Sequence, residues 1–318
     1  MIKAMSNIPR ISLKNLESKD FDTIKELKDA LEHHGFFALY DHSIDLKIIE
    51  KCYKKSKEFF DLESEIKNKY ANASIGGARG YTPFGKETAL GESVPDLKEF
   101  WHHGPQINET FDQRIHKNIK IDEVGDFNLV FDDLFVQLND LATNVLSCIG
   151  LTIGLTKDYF SPWVIKGNSL LRMIHYPPSD NDNIYRAREH ADINLITLLI
   201  GAEERGLEVK NKDNSWIQIS ANKNDIVCNI GDMLQLVTEG KLKSTPHRVV
   251  KYKNEEPKSR YSIPFFLHPS PDIMLKSVFN SEDKGVLAHD FLDERLRAIK
   301  LYWTLWNYKI TYKYLLAL

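Results

Sequence analysis

Apolar residues recur at steps of three and four in several parts of the chain, which is the period of an α-helix with one buried face. This pattern predicts helices at residues 18–34, 46–60, 127–149 and 290–305. Gly35 follows the first of them, at a position where a left-handed residue commonly ends a helix. The apolar and aromatic run from Phe36 to Tyr40 predicts a buried strand, so the N-terminal region mixes helices with short strands.

The pattern changes between Ser169 and His268, where short runs rich in Val, Ile, Leu and Thr are separated by Asn, Asp, Gly, Lys and Pro. This spacing favours a sandwich or closed barrel over strands that alternate with helices. We count eight candidate strands, the number in a jelly roll: LLRMIHY, NLITLLI, GLEVK, SWIQI, DIVCNI, DMLQLVT, STPHRVVKY and RYSIPFFL. The predicted fold is mainly β with flanking helices, and it combines a jelly-roll (double-stranded β-helix) core with a mixed α/β N-terminal region.

These elements divide the chain into four predicted parts. Residues 7–118 form the mixed N-terminal region, and residues 119–168 form a long scaffold helix with a linker. Residues 169–270 form the jelly-roll core, and residues 271–318 form a helical segment and a tail that packs on the core or forms an oligomer surface. Residues 73–85 (ASIGGARGYTPFG) are rich in glycine and predict a loop whose backbone a ligand can approach closely.

Composition and charge narrow the class of function. The 42 basic and 45 acidic side chains nearly cancel to −3, which provides no strong field for nucleic acid or an anionic membrane. No run reaches the roughly 18 apolar residues of a membrane helix, and the first residues lack a long apolar signal core. The three cysteines, Cys52, Cys148 and Cys228, lie far apart and are expected to be core thiols. We expect a soluble cytoplasmic protein that acts on a small molecule, without a nucleic-acid or membrane partner.

A candidate metal site comes from two histidines and an aspartate. His190 and Asp192 lie two residues apart, just before the apolar run NLITLLI, and in an extended chain such side chains point to the same side. His247 lies on another predicted strand. Two histidines and one carboxylate on one side of an ion form the facial triad of non-haem Fe(II) oxygenases. A His-x-Asp pair alone is common by chance, so the interpretation depends on what accompanies it.

A candidate carboxylate clamp follows the third of these residues. Arg260 and Ser262 alternate on a predicted strand, which places the guanidinium and the hydroxyl on one side. Arginine can hold a carboxylate through two parallel hydrogen bonds, and serine can add a third. A metal site beside a carboxylate clamp implies a chelating acid as cosubstrate.

Eight segments, in order, resemble the isopenicillin N synthase-like branch of the Fe(II)/2-oxoglutarate oxygenases. They cover most of the chain: IPRISL, HHGFFALYDHSI, RGYTPFG, PDLKEFWHHGP, LLRMIHYPP, EHAD, STPHRVV and RYSIPFFLHP. The resemblance implies that the two histidines and Asp192 bind Fe(II). It also implies that Arg260 and Ser262 hold the distal carboxylate of 2-oxoglutarate, with a further hydrogen bond from Tyr176. Members of this family couple substrate oxidation by O₂ to the conversion of 2-oxoglutarate into succinate and CO₂.

Three further residues are candidates for the substrate site. Arg172 shares a strand face with Tyr176 and pairs either with a substrate carboxylate or with a protein acid. Because a buried unpaired arginine is costly and the cosubstrate clamp is already complete, we expect an amino acid or another small carboxylic acid as substrate. Arg79 and Tyr81 in the glycine-rich loop line the substrate entrance or form a solvent turn.

Other conspicuous side chains are expected to be structural. His175 points to the opposite side of its strand from Tyr176, and Arg248 is expected to face away from the iron in an ion pair. Phe100 and Trp101 are expected to pack in the core. The remaining histidines considered lack a carboxylate at ligand spacing and are excluded from the metal site: His33, His34, His102, His103 and His268.

We therefore predict a Fe(II)- and 2-oxoglutarate-dependent oxygenase that hydroxylates, desaturates or cyclises a small metabolite. One alternative is an oxidase of the isopenicillin N synthase type, which does not use 2-oxoglutarate. The extra glutamine of that subgroup near the C-terminus is missing here, because the last glutamine of the chain is Gln235. The other alternative is a non-catalytic metal-binding scaffold, which would not need both the triad and the clamp.

Overall fold

The computed structural model describes residues 8–87, 95–179, 185–201, 205–253 and 255–298. The helices in these ranges are α1 (Leu13–Glu17), α2 (Phe21–His33), α3 (Leu46–Phe60), α4 (Ser64–Asn68), α5 (Phe127–Thr152), α6 (Ser161–Val164), α7 (Asp232–Val237) and α8 (Ala288–Ala298). A short 3₁₀ helix spans Ala73–Ile75. The strands are β1 (Arg10–Ser12), β2 (Phe36–Tyr40), β3 (Gly80–Thr82), β4 (Glu99–His103), β5 (Leu170–Tyr176), β6 (Tyr185–His190), β7 (Ile196–Ile200), β8 (Leu207–Lys210), β9 (Trp216–Gln218), β10 (Ile226–Ile230), β11 (His247–Val250), β12 (Arg260–Leu267), β13 (Met274–Leu275) and β14 (Val286–Leu287).

Two sheets face each other across an apolar layer. The large sheet has the strand order β1-β2-β10-β7-β12-β5-β4-β3, and the smaller one has the order β6-β11-β8-β9. One buried cluster takes Phe36, Ile174 and Val227 from the large sheet and Leu207 and Val249 from the smaller sheet. Because side chains from both inner faces share this layer, the sheets form a sandwich. The predicted mainly β fold with a jelly-roll core is confirmed.

Helices cover the other face of the large sheet, and α5 is the longest of them. Its buried side chains, which include Leu134, Leu138 and Val145, belong to the main apolar core together with residues of α2, α3 and β12. By length and composition α5 could cross a membrane, but 61% of its most apolar window is buried inside the protein. Burial of this extent is typical of a core helix. It agrees with the buried face predicted for the helix at residues 127–149.

Several predicted elements appear with nearly the predicted bounds. α3 coincides with the predicted helix, and β2 coincides with the predicted strand that precedes it. All three cysteines are buried and free, as expected of core thiols. The described part of α8 extends to Ala298. The predicted continuation to residue 305 and the tail Tyr302 to Leu318 lie outside the described residues. The proposed division of the chain into four parts stays a prediction.

Three local predictions are wrong. The run DMLQLVT forms α7 rather than a strand, because its buried Met233, Leu234 and Val237 also fit a helical period. The first N–H groups of α7 donate to the loop that carries the candidate metal ligand, with Asp232 N lying 2.7 Å from Asp192 O. β6 was missed because its sequence, YRAREH, has no apolar run. The glycine-rich loop is not wholly irregular, since it contains the 3₁₀ helix and β3.

Gly35 ends α2 in the left-handed conformation, with φ of +67°, and its N–H donates to Ala30 O at 3.1 Å. A Cβ atom there would lie 2.5 Å from both Lys243 O and Thr245 Oγ1. We expect Gly35→Ala to lower the free energy of unfolding by more than about 1 kcal/mol, as measured by urea denaturation. Gly240→Ala is the matched control, because Gly240 has φ of +74° but no atom within 4 Å of the added Cβ. Equal losses in the two variants would show that the close packing at Gly35 contributes nothing.

Candidate active site

The structure brings together the three residues predicted to bind metal. His190 ends β6, His247 begins β11, and the two are register partners across the smaller sheet. Asp192 lies in the loop after β6, so it converges with the histidines from a turn rather than from a continuous strand. One potential ligand atom from each residue lies within 4.8 Å of the other two. His247 Nε2 lies 3.8 Å from Asp192 Oδ1, and the two imidazole centroids are 4.4 Å apart.

Hydrogen bonds orient each of these side chains. His190 Nδ1 donates to Arg188 O at 2.6 Å, and His247 Nδ1 donates to Thr245 O at 3.2 Å. Both imidazoles therefore keep the Nε2 lone pair available for a metal. On the other side of the site, Asp192 Oδ2 accepts hydrogen bonds from two neutral side chains and leaves Oδ1 for the ion. The donors are Thr197 Oγ1 at 2.6 Å and Asn229 Nδ2 at 2.8 Å.

The electrostatics of the three residues suit a divalent cation. Burial and the neighbouring His247 lower the pKa of His190 to about 4, so its imidazole is neutral at pH 7. Burial opposes ionisation of Asp192, but His247 and His190 outweigh it and lower the pKa of this carboxyl. Two imidazoles and one carboxylate on one side of an ion match the donor set of non-haem Fe(II). Iron bound there would supply the redox chemistry with O₂.

The predicted carboxylate clamp is built on two adjacent strands of the large sheet. Arg260 of β12 is the register partner of Tyr176 of β5, and its guanidinium carbon lies 5.4 Å from the centre of the tyrosine ring. Arg260, Ser262 and Tyr176 are each at most 3% exposed. A buried guanidinium beside two hydroxyl groups is suited to hold a carboxylate.

Both groups of residues open into one cavity of about 570 Å³ between the two sheets. The cavity is also lined by residues outside the sandwich, from the segment before β4 and from Leu292 and Leu296 of α8. Its size is within the range of small-molecule sites and can hold a cosubstrate together with a small substrate. The metal site and the clamp thus belong to the same site.

The premise behind the expected acidic substrate is wrong. Arg172 lines the cavity, as predicted, but its Nη1 lies 3.3 Å from Glu87 Oε2. The guanidinium therefore already has a protein acid as partner, which is the structural alternative that the sequence left open. The pairing does not seal Arg172 from the cavity, because both side chains belong to its lining.

Arg79 and Tyr81, the two candidates from the glycine-rich loop, lie in different surroundings. Arg79 lines the cavity and is held by two acceptors, Ala78 O at 2.6 Å and Asn168 Oδ1 at 3.1 Å. Tyr81 lies outside the cavity lining and donates through its hydroxyl to Glu99. Its expected place at the substrate entrance is therefore wrong. The reason is that Tyr81 belongs to β3, whose pairing with β4 turns this side chain into the core.

The residues expected to be structural have clear partners. His175 hydrogen-bonds to Glu99 Oε1 at 2.7 Å and to Ser259 Oγ at 3.0 Å. Arg248 pairs with Glu208 Oε2 at 2.7 Å. Phe100 and Trp101 are buried in the core. In the described ranges, the triad is the one group of three or more His, Cys, Asp or Glu side chains with this geometry.

Sequence reasoning missed several polar residues of the site. His102 and His268, rightly excluded from the metal group, nevertheless line the cavity. Glu87 and Lys98 also line it, although they lie far from the jelly-roll strands in the sequence. Glu87 and Lys98 each lie next to other polar residues in the sequence. Nothing in that pattern distinguishes a cavity wall from a solvent-exposed turn.

Comparisons with known proteins identify the family of the chain. A model of the 2OG-Fe(II) oxygenase superfamily matches residues 167–269, and a model described as non-haem dioxygenase in morphine synthesis N-terminal matches residues 8–121. A proline hydroxylase of Petromyces alliaceus is 31% identical over 273 residues, which are 80% of this chain and 84% of the relative. The predicted resemblance to this group of oxygenases is confirmed.

Solved structures show the same relationship. A 2OG-Fe(II) oxygenase family protein from Caulobacter crescentus is 41% identical, with a TM-score of 0.84 over 92% of this chain and 99% of its own. A Neurospora crassa protein, solved with alpha-KG and thymine, is 27% identical, with a TM-score of 0.80 over 92% of this chain and 96% of its own. The chain therefore belongs to the 2OG-Fe(II) oxygenase superfamily and is an oxidoreductase that uses Fe(II) and 2-oxoglutarate.

Proposed function

We propose that this chain hydroxylates a small free molecule inside the cavity, with 2-oxoglutarate as cosubstrate. His190, Asp192 and His247 hold the iron in this proposal. Arg260 and Ser262 hold the distal carboxylate of 2-oxoglutarate, and Tyr176, which lies beside the arginine, adds a hydrogen bond. These roles come from the resemblance of the motifs, and the placement of the six side chains supports them.

One observation carries the proposal: the triad and the clamp open into the same cavity. A chelating 2-oxo acid must reach the metal with one end and a cation with the other, so a shared cavity is the arrangement that this cosubstrate needs. An unrelated metal site would not require a buried arginine beside it. The net charge of −3 and the size of the cavity also favour a free small molecule over nucleic acid.

The named ligands of the relatives suggest the scale of the substrate. The Neurospora crassa protein was solved with thymine, and the Petromyces alliaceus relative is named a proline hydroxylase. Both molecules are small enough for a cavity of about 570 Å³ that also holds 2-oxoglutarate. We include thymine and L-proline as first candidate substrates for this reason.

The experiment measures succinate release by the purified protein supplied with Fe(II), 2-oxoglutarate and O₂. We expect release that requires all three and that increases when a true substrate is added. Thymine and L-proline are compared with a reaction that lacks a primary substrate, and products are identified by mass spectrometry. Oxidation of a substrate without 2-oxoglutarate would instead support the isopenicillin N synthase type of reaction.

A further inference from the structure

Alternating charges from the N-terminal region and from β5 line one wall of the cavity. Arg172 Nη1 lies 3.3 Å from Glu87 Oε2, Glu87 Oε1 contacts Lys98 Nζ at 2.5 Å, and Lys98 Nζ contacts Asp96 Oδ2 at 3.0 Å. We call these four side chains the charged wall. All four line the cavity, and together they carry two positive and two negative charges. At the end of the wall opposite Arg172, Asp96 also contacts Arg188 at 3.3 Å.

The guanidinium of Arg172, at one end of this wall, has several contacts that hold it in place. Its Nε donates to His102 Nε2 at 2.6 Å, and the ring of His102 is fixed because Nδ1 donates to Gly77 O at 2.7 Å. The guanidinium carbon lies 4.3 Å from the ring centre of Phe100 and 5.4 Å from that of Phe266. The hydrogen bonds and the ion pair of Arg172 with the described residues use Nε and Nη1. Because Arg172 lines the cavity, Nη2 is the remaining donor for a ligand bound there.

Both partners of Arg172 have a definite charge state. Burial and the charge of Arg172 lower the pKa of His102 well below its usual value, so the imidazole is neutral and accepts through Nε2. Burial opposes ionisation of Glu87, but Arg172 and Lys98 together lower the pKa of this carboxyl strongly. Glu87 is therefore an anion, and its charge offsets that of Arg172.

Because the negative charge of Glu87 offsets the positive charge of Arg172, it determines how strongly a ligand of given charge binds to the guanidinium. A carboxylate bound to Nη2 would lie close to Glu87, and repulsion between the two anions would offset much of its attraction to the guanidinium. A neutral carbonyl oxygen accepts the same hydrogen bond without that repulsion. Selection between the two ligands thus depends on Glu87 rather than on Arg172 alone.

We propose that Glu87 determines substrate charge: Arg172 donates from Nη2 to a carbonyl oxygen of a neutral, amide-like substrate, and Glu87 excludes carboxylates from the same position. This inference rests on the proposed function, since it assigns the substrate class of that site. It also replaces the acidic substrate expected from the sequence. A planar amide suits the position because Phe266 also lines the cavity, with its ring centre 5.4 Å from the guanidinium carbon, and offers a flat apolar surface there.

The test compares matched amides and carboxylates on the full chain loaded with Zn(II) and 2-oxoglutarate, so that no turnover occurs. The probes are benzamide with benzoate and nicotinamide with nicotinate, and binding is measured by calorimetry and ligand-observed NMR. We expect the native protein to bind the amide of each pair more tightly. Glu87→Gln should shift the ratio of affinities toward the carboxylate by about tenfold or more, because Arg172 then has an uncompensated charge.

Two further variants make the result specific. Glu189→Gln is the matched control, because Glu189 also lines the cavity but pairs with Lys210 at 2.7 Å, and we expect it to leave the ratio unchanged. Arg172→Gln should weaken amide binding without improving carboxylate binding. Circular dichroism and thermal melting show whether each variant is folded.

The outcomes separate this inference from the function on which it rests. A native preference for carboxylates, an unchanged ratio in Glu87→Gln, or no binding by either series would overturn the role of Glu87. Binding of 2-oxoglutarate itself is measured first in the same titrations. Its absence would contradict the proposed function, whereas its presence with an unchanged ratio would contradict only the substrate class.

Discussion

Replacing His247 by Ala is expected to abolish Fe(II)-dependent succinate release. The change leaves two of the three donor atoms that lie within 4.8 Å of one another. Loss of a residue that hydrogen-bonds to a metal ligand commonly lowers metal affinity or activity by about 10- to 100-fold. Loss of the ligand itself should lower them further. Metal affinity is measured by titration, and succinate release is measured in parallel at saturating iron.

Arg248→Gln provides the control on the same strand. Arg248 pairs with Glu208, on the side away from the triad, so its replacement disturbs β11 without removing a metal donor. We expect this variant to bind iron normally and to release succinate within a few-fold of the native rate. Native rates and native iron affinity in His247→Ala would remove this histidine from the metal site.

Replacing Arg260 by Leu is expected to weaken 2-oxoglutarate binding by roughly a hundredfold or more, since a hydrogen-bonded pair of charges is worth several kcal/mol when one partner is removed. Arg260 is 1% exposed, so its replacement leaves the carboxylate without a buried cationic partner. Anaerobic calorimetry of the Fe(II)-loaded protein measures the affinity. Iron affinity without 2-oxoglutarate is measured alongside, and we expect it to be unchanged.

Arg260→Lys separates charge from geometry. Lysine keeps the positive charge but cannot form two parallel hydrogen bonds, so we expect an affinity between those of the native protein and the leucine variant. Equal affinities for 2-oxoglutarate in all three proteins would show that Arg260 holds some other group. That result would favour the alternative in which the enzyme does not use 2-oxoglutarate.

The elements that carry the motifs could be predicted because their signals are local. α3 and β2 follow from the period and apolarity of their own residues, and Gly35 from the conformation that ends a helix. β6 could not be found in this way, because its polar sequence forms a strand only through its pairing with β11. α7 was predicted wrongly because a short buried apolar run fits both periods, and only its position behind the metal loop makes it a helix.

The sequence by itself determined the chemistry of the site: the triad, the arginine and serine of the clamp, and the family that shares them in this order. These are residue types at short spacings, and strand geometry converts such spacings into shared faces. The tertiary structure alone decided the partner of Arg172, because Glu87 lies 85 positions away in the chain and reaches the guanidinium only when the N-terminal region packs against the sandwich. It decided the place of Tyr81 for the same reason, since the pairing of β3 with β4 turns that ring into the core. Long-range packing therefore brought the residues of the charged wall together, and no local sequence pattern encodes that arrangement.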